Sequence, residues 1–239
     1  NADHVTTVSP TYAEEIKTGE FGEGLEEVLQ HNSEKLTGIL NGLDTQTWDP
    51  ASDSYLDSVE QFDSENLEGK HKTKANLLNE AGLPDRGQPL IGLVARLVPQ
   101  KGIDLIIDSW PELKQLDAQW IVLGTGDQVI EKGLQEIENK YPEEFSAKIM
   151  FSERWAHRIE AGADIFCMPS HFEPCGLNQM YSMIYGPIPV VHRTGGLADT
   201  VIDPDQDEQS ATGFSFDTLL KKDFVETLGK ALLVYNNQP

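Results

Sequence analysis

Six short apolar runs lie between residues 90 and 216, and each is followed by a polar loop and then by a helical pattern. The runs are found near residues 90, 120, 149, 165, 189 and 214. Short apolar runs that alternate with helices are typical of buried parallel strands, because parallel strands need crossover connections to join them. The pattern therefore predicts an α/β domain with a Rossmann-like, doubly wound parallel sheet.

The segment from Asp164 to Asp199 contains two of these strand–loop–helix units in succession. In the first unit, a polar elbow that carries Glu173 separates the strand from a helix that we expect to start at about residue 176. The first backbone amides of a helix have no partner within it, and the helix dipole makes them attractive to electron-rich oxygen atoms. These amides belong to Cys175, Gly176 and Leu177. Because a carboxylate can also accept from hydroxyl groups, the elbow is predicted to bind a sugar.

The second unit places a glycine-rich turn after the apolar run IPVV. Thr194, Gly195 and Gly196 form this turn, and glycine allows a backbone to approach a ligand closely. A single turn of this kind is most often ordinary punctuation between a strand and a helix. Two in succession favour a ligand site, and we expect this one to cradle phosphate oxygens.

Two cations follow the predicted strand from Leu90 to Ala95. Arg96 and Lys101 are five residues apart across a turn, so their charged groups can converge on one dianionic group. Open α/β sheets bind ligands at the carboxyl ends of their strands, which is where this turn lies. The alternative is that both cations are solvated or paired with surface acids.

The overall charge limits the partners of the chain. Eighteen basic and 40 acidic residues give a formal net charge of -22. Such acidity argues against binding to nucleic acid or to an anionic membrane surface. An anionic ligand would need a site where the few cations are concentrated.

A GxG sequence after the second strand is a weaker signal. Gly124 and Gly126 follow that strand, but Val129 stands where a dinucleotide-binding fingerprint has its third glycine. A dehydrogenase is therefore disfavoured, and we expect the loop around Gly126 to approach a nucleoside. Phe151, after the third strand, could stack on an adenine or be an ordinary aromatic residue at a strand edge.

The N-terminal third of the chain carries fewer signals. Residues 1 to about 20 read as one strand with no partner nearby, followed by a helical turn. Asn41-Gly42 is a strong turn signal that would suit a hairpin. The acidic stretch between residues 49 and 69 is expected to be a solvated surface loop with no role in chemistry. His157, in a later helix, is expected to be a structural group and not a catalyst.

Two cysteines, Cys167 and Cys175, and no metal-ligand spacing occur in the chain. So few cysteines indicate reduced thiols and a cytosol-like compartment. No apolar run approaches the ~20 residues that a membrane span needs, and we expect a soluble protein.

The longest motif is PSHFEPCGLNQMYSMIYGPIPVVHRTGGLADTV, which resembles the signature of bacterial glycogen synthases and plant starch synthases. The resemblance extends through GLVARLVPQKGIDLI and AHRIEAGADIF to TVSPTYAEEI near the start, and so covers nearly the whole chain. These enzymes are retaining glucosyltransferases of the GT-B architecture. The resemblance implies that the sheet is the C-terminal half of such an enzyme.

The resemblance also implies a domain division and an activity. Residues 1–20 would be the tail of an N-terminal acceptor domain, and residues 21–239 the C-terminal nucleotide-sugar-binding domain without its final returning helix. The implied reaction transfers glucose from ADP-glucose to an α-glucan acceptor, in the bacterial cytoplasm or in the plastid stroma if the source is a plant. UDP-glucose as donor, and nucleotide-sugar binding without turnover, remain alternatives.

For the site, the resemblance implies that Arg96 and Lys101 hold the donor's diphosphate and stabilise it as it leaves. Glu173 would grip glucose hydroxyls, and no metal or cofactor is expected. Many related transferases carry a second glutamate eight residues after the first, where this chain has Tyr181. We expect Tyr181 in the substrate site, but the ribose contact of that glutamate is left open.

Overall fold

The computed structural model describes residues 2–237, and its first elements form a small two-stranded sheet. The elements are β1 (Val5–Thr7), α1 (Pro10–Glu15), α2 (Glu26–His31) and β2 (Leu36–Gly38). β1 pairs in parallel with β2, so the first strand does have a partner and the sequence-based expectation is wrong. The hairpin expected at Asn41-Gly42 is also wrong, because within residues 2–237 the next strand after β2 begins at Leu90 and belongs to another sheet.

A parallel sheet of six strands forms the centre of the rest of the chain. Its strands and helices are α3 (Glu68–Ala81), β3 (Leu90–Val94), α4 (Ile103–Leu113), β4 (Gln119–Gly124), α5 (Gln128–Lys140), β5 (Phe145–Ile149), α6 (Glu153–Gly162), β6 (Ile165–Met168), α7 (Asn178–Tyr185), β7 (Ile188–His192), α8 (Gly195–Thr200), β8 (Phe214–Phe216) and α9 (Lys221–Asn237). The strand order is β5-β4-β3-β6-β7-β8. The predicted doubly wound parallel sheet is therefore confirmed.

Helices cover both faces of this sheet because the side chains of each buried strand alternate between the faces. On one face, Ile91 and Trp120 pack in a cluster with residues of α4, α5 and α9. On the other face, Leu90 and Ile121 pack with residues of α3 and α6. The apolar runs therefore read as continuous in the sequence, as expected for strands buried on both sides. No helix within residues 2–237 combines the length and apolar character that crossing a bilayer requires.

The strand order reverses between β3 and β6, which are hydrogen-bonded neighbours. At such a point the connections leave toward opposite faces, and the loops at the carboxyl ends of the two strands separate to form a crevice. The loop after β3 carries Arg96 and Lys101, and the loop after β6 carries Glu173. The topology therefore brings the residues singled out in the sequence to the same crevice.

The prediction of a solvated loop between residues 49 and 69 holds for many of its residues, which are exposed, but it is wrong for two of its acids. Asp53 and Glu60 are both buried, at 1% and 0% exposure. Asp53 Oδ2 accepts from Tyr185 Oη at 2.6 Å and lies 2.8 Å from His157 Nδ1. Glu60 accepts two hydrogen bonds of 2.9 Å from the Arg158 guanidinium. Hydrogen bonds therefore hold the segment against α6 and α7. His157 takes part in them and so has the structural role that the sequence predicts.

Candidate active site

The loop after β3 reaches the loop after β6 through a close backbone contact. Gly102 ends the 3₁₀ turn that contains Lys101 and has a φ of 66°. A Cβ atom at this position would lie 1.9 Å from the carbonyl oxygen of Pro169. Only glycine fits both the left-handed backbone and this distance. The contact fixes Lys101 beside the polar elbow that follows β6.

Lys101 and Glu173 form an ion pair at this contact. Lys101 Nζ lies 2.5 Å from Glu173 Oε2, and Ser170 Oγ donates to the same oxygen at 3.2 Å. Glu173 is only 7% exposed, so the charged Lys101 ammonium is its main compensation for the loss of water. The alternative that Lys101 pairs with an unrelated surface acid is therefore excluded.

A cavity of about 220 Å³ opens beside this pair. Among the residues that line it are five that the sequence singles out, namely Arg96, Lys101, Glu173, Gly176 and Leu177. The Arg96 side chain is exposed and has no hydrogen bond or ion pair with any residue in the range 2–237. The cavity therefore combines one unpaired cation, one cation paired with a carboxylate, and the start of the elbow that precedes α7. This combination suits an anionic group linked to a polyhydroxyl group.

A second cavity of about 390 Å³ adjoins the first. The two share Val94, Ala95, Arg96 and Asn178 as lining residues. The second is walled largely by apolar and aromatic side chains, including Trp48, Met150 and Phe151. Phe151 is 84% exposed, so its apolar ring faces solvent beside the cavity. Such a wall suits a flat heterocycle next to the anionic group.

Gly126 does not line either cavity within the described part of the chain. Its amide donates to Glu131 Oε1 at 2.8 Å, and its backbone forms a bridge with Leu97. A Cβ atom at Gly126 would lie 2.4 Å from the Leu97 carbonyl oxygen. Thr125 lines the second cavity instead. Gly126 thus holds this loop against the loop after β3.

The turn formed by Thr194, Gly195 and Gly196 is hydrogen-bonded to Glu15 and to the backbone of the elbow. Thr194 Oγ1 and the Gly195 amide both donate to Glu15 Oε1 at 2.8 Å, and the Gly196 amide donates to the Glu173 carbonyl oxygen at 3.0 Å. The donors that the sequence assigns to phosphate are engaged by Glu15 and by the elbow backbone. Neither cavity is lined by this turn.

Cys175 and Tyr181 are both buried and lie outside the lining of the two cavities. The Cys175 carbonyl oxygen accepts from Gln179 Nε2 at 3.1 Å. The Tyr181 ring stacks on Trp48 with ring centroids 4.3 Å apart, and Trp48 also stacks on His157 at 3.6 Å. Tyr181 therefore supports a wall of the second cavity through Trp48. Cys167 and Cys175 are free thiols.

Several lining residues have no counterpart in the sequence analysis, among them Trp48, Glu160 and Asn178. Trp48, Glu160 and Asn178 all line the second cavity, and Asn178 also lines the first. Asn178 Nδ2 donates to the Val94 carbonyl oxygen at 2.9 Å and so joins α7 to β3. A large aromatic residue in an acidic stretch was the available signal for Trp48. A lone acid within the motif HRIEAGAD was the signal for Glu160.

Together, the strand order and the charged crevice define one half of a GT-B glycosyltransferase. The catalytic domain of starch synthase IV from Arabidopsis thaliana, bound to ADP and acarbose, has the same fold, with a TM-score of 0.92 and 40% identity. That similarity covers 99% of this chain and 49% of the solved one. Sucrose-phosphate synthase from Thermosynechococcus elongatus shares the fold alone, with a TM-score of 0.66 and 18% identity over 99% of this chain and 50% of that one.

The chain belongs to the family of glycosyl transferases group 1, whose model matches residues 76–237. The model of the starch synthase catalytic domain matches residues 1–31. Glycogen synthase from Thioalkalivibrio sulfidiphilus is 47% identical over 99% of this chain and 50% of its own length. Glycogen synthase from Thermotoga petrophila is 48% identical over 98% of this chain and 48% of its own length. The resemblance to glycogen and starch synthases is therefore confirmed, and the chain spans about half the length of these relatives.

Proposed function

We propose that this chain is the donor-binding half of a glucan synthase that transfers glucose from ADP-glucose to the non-reducing end of an α-1,4-glucan, with retention of configuration. The observation that carries the proposal is the single cavity lined by Arg96, Lys101 and Glu173. The names of the relatives, glycogen synthase and starch synthase, support the reaction class. The proposal places the protein in the bacterial cytoplasm, or in the plastid stroma if its source is a plant.

The proposed chemistry assigns the charges of the cavity to two tasks. When the glucosyl bond breaks, negative charge grows on the departing nucleoside diphosphate, and cations in a partly dry site stabilise it. Arg96 is free to contact the diphosphate, and Lys101 can share its protons between the diphosphate and Glu173. Each contact of this kind lowers the activation barrier by about 2–4 kcal/mol, which raises the rate by a factor of roughly 30 to 1000. Glu173 then accepts hydrogen bonds from glucose hydroxyls.

The donor nucleotide is proposed to be ADP-linked. The apolar second cavity and the exposed Phe151 ring support a purine base beside the diphosphate. The starch synthase IV structure, which contains ADP, supports the same assignment. UDP-glucose is the competing donor. Calorimetric titration with ADP-glucose and UDP-glucose would decide between them, using the intact protein, by which we mean this chain joined to the proposed N-terminal acceptor domain. Equal affinity for both would remove the ADP assignment.

The domain division is part of the proposal. Residues 1–20 are taken as the end of an acceptor domain, and the match of residues 1–31 to the starch synthase catalytic domain supports this. Residues 21–239 are taken as the nucleotide-sugar-binding domain. The N-terminal domain of the same protein would supply the acceptor half of the cleft, with its α-glucan site.

A second candidate function is nucleotide-sugar binding without turnover. For the isolated chain this function is favoured by the comparison with glycogen synthase, of whose length the chain covers 50%. One assay separates the two, namely transfer of labelled glucose from ADP-glucose to glycogen. We expect transfer by the intact protein and none by residues 1–239 alone, although the isolated chain should still bind ADP. Rapid transfer by the isolated chain would contradict the divided cleft, and absence of transfer by the intact protein would contradict the proposed reaction.

A further inference from the structure

Glu160 is a buried acid in the wall of the second cavity that the proposed chemistry does not use. It lies on α6, is 1% exposed, and lines the cavity near Trp48 and Asn178. Its Oε2 atom is hydrogen-bonded to Ser182, whereas Oε1 has no hydrogen-bond partner among residues 2–237. A buried polar atom without a partner costs free energy, so an unpartnered acceptor on a residue that lines a cavity points to a ligand that supplies the missing donor.

The contacts of Ser182 indicate that the Glu160 carboxyl is neutral. Ser182 Oγ lies 2.8 Å from Glu160 Oε2 and 2.8 Å from the Asn178 carbonyl oxygen. A serine hydroxyl has one proton, so if it donates to the carbonyl, the proton in the other contact must come from the carboxyl. Burial also raises the pKa of Glu160 well above its usual range, and the opposing effects of the Ser182 hydrogen bond and of the Lys70 charge are smaller. The Lys70 ammonium donates instead to three backbone carbonyl groups.

The position of Glu160 indicates which part of a bound nucleotide this side chain would contact. Asn178 lines both cavities, and Ser182 lies one turn further along α7 on the same side of the helix. Glu160, bonded to Ser182, therefore sits near the junction between the charged cavity and the apolar cavity. In a nucleoside diphosphate, the ribose joins the diphosphate to the base. If the diphosphate lies at Arg96 and the base near Phe151, the ribose hydroxyls are the donors closest to the junction.

We propose that Glu160 Oε1 accepts a hydrogen bond from a ribose hydroxyl of the donor nucleotide, and that this acid thereby selects ribonucleotides over deoxyribonucleotides. The inference rests on the proposed nucleotide-sugar site and adds a specificity residue to it. The neutral carboxyl donates to Ser182 through one oxygen and accepts from the ribose through the other. It needs no cation beside it, which is consistent with the apolar surroundings.

The test is calorimetric titration of the intact protein with ADP, 2′-deoxy-ADP and 3′-deoxy-ADP. In the unmodified protein, we expect one of the two deoxynucleotides to bind about tenfold more weakly than ADP, the value of one hydrogen bond to a buried acceptor. Glu160→Leu keeps a similar volume without the acceptor, so ADP should bind as weakly as that deoxynucleotide. Glu160→Gln retains an acceptor for the ribose and a donor for Ser182, so it should discriminate as the unmodified protein does.

Three results would overturn the inference. They are equal binding of ADP and both deoxynucleotides by the unmodified protein, unchanged discrimination in Glu160→Leu, and loss of discrimination in Glu160→Gln. Circular dichroism and thermal melting of each variant separate a lost contact from a lost fold. If Glu160→Leu unfolds, Glu160→Met, which is unbranched and of similar length but also lacks the acceptor, takes its place, and unchanged discrimination in that variant would equally overturn the inference. Failure of the unmodified protein to bind ADP at all would contradict the proposed function itself, which is a different result.

Discussion

Lys101 Nζ lies 2.5 Å from Glu173 Oε2, so the cation assigned to the diphosphate and the acid assigned to the sugar form an ion pair with each other. The pair holds both side chains at the wall of the charged cavity. An incoming diphosphate would compete with Glu173 for the Lys101 ammonium. Binding and turnover should therefore respond differently when the acid is changed.

Replacing Glu173 with glutamine should lower turnover and leave ADP binding unchanged or tighter. Glu173→Gln removes a negative charge from the cavity that receives the diphosphate, and it releases Lys101 from its ion pair. It also weakens the charged acceptor for glucose hydroxyls, so we expect turnover to fall by about a hundredfold. Steady-state kinetics and ADP titration of the intact protein measure the two effects.

The matched control for this change is Glu136→Gln, which alters an exposed acid on α5 that pairs loosely with Lys132. It should leave both quantities unchanged. Weaker ADP binding together with normal turnover in Glu173→Gln would be the reverse of the expected pattern and would exclude a sugar-binding role for Glu173.

Removing the exposed ring of Phe151 should weaken nucleotide binding without destabilising the fold. Phe151→Ala takes away a surface on which a base can stack, and stacking of a base on an aromatic ring is worth about 1–3 kcal/mol. We expect ADP affinity to drop about tenfold, with little change in melting temperature because the ring is 84% exposed. Val129→Ala changes another exposed apolar residue, one outside both cavities, and should have no effect. Equal ADP affinity in the two variants would mean that Phe151 does not contact the base.

The glycine that joins the two loops should tolerate no side chain. Gly102→Ala introduces a Cβ atom 1.9 Å from the Pro169 carbonyl oxygen at a φ of 66°, so the loop must move away from the elbow. We expect ADP affinity and turnover to be lost, with a decrease in stability of about 2 kcal/mol or more. Gly42→Ala is the control, because a Cβ atom at Gly42 meets nothing within 4 Å. Normal ADP binding by Gly102→Ala would show that Lys101 does not depend on this contact.

Acid should destabilise the protein in part through Glu60. Burial alone would raise the pKa of Glu60, but hydrogen bonds from Arg158 and Asn76 outweigh it and lower the pKa from 4.5 to about 2. Because the pKa is lower in the folded state, the stabilisation is fully present above pH 4.5 and is lost as the pH falls from 4.5 toward 2. Denaturant unfolding across this range should therefore show a falling free energy of unfolding.

Glu60→Gln should remove this part of the pH dependence and cost about 3 kcal/mol at neutral pH, because the Arg158 guanidinium loses its buried carboxylate. Glu226→Gln, at an exposed acid on α9 that lies 3.8 Å from Lys222, should leave the curve unchanged. A Glu60→Gln variant with the unmodified slope between pH 4.5 and 2 would rule out Glu60 as a source of acid sensitivity.

The main sheet and the charged cavity could be predicted because both depend on short-range patterns. Each buried strand is a continuous apolar run, and a parallel sheet brings the ends of its strands to one edge. A cation after one strand and an acid after another then meet if the strands are neighbours. β3 and β6 are such neighbours, so Arg96, Lys101 and Glu173, which were selected from local spacing and from the family resemblance, lie at one cavity.

The remaining features depend on contacts between distant parts of the chain. Asp53 and Glu60 look like solvated acids until their partners, His157 and Arg158, are seen about a hundred residues away. The turn at Thr194 reads as a free phosphate cradle because nothing nearby in the sequence indicates that Glu15 accepts from it. Local patterns identify which residues could bind a ligand, but not which of them are already engaged.

The most direct test of the diphosphate site compares the binding of ADP and AMP to the intact protein and to Arg96→Ala, Lys101→Ala and Lys132→Ala. The unmodified protein should prefer ADP, because the second phosphate reaches the two cations of the cavity. That preference should shrink by about tenfold or more in Arg96→Ala and in Lys101→Ala, and persist in Lys132→Ala, which removes an exposed cation on α5. The melting temperature should be nearly unchanged in Arg96→Ala but lower in Lys101→Ala, which leaves the buried Glu173 carboxylate without its ion-pair partner. An undiminished preference for ADP in both Arg96→Ala and Lys101→Ala would contradict the assignment of this cavity to a nucleoside diphosphate.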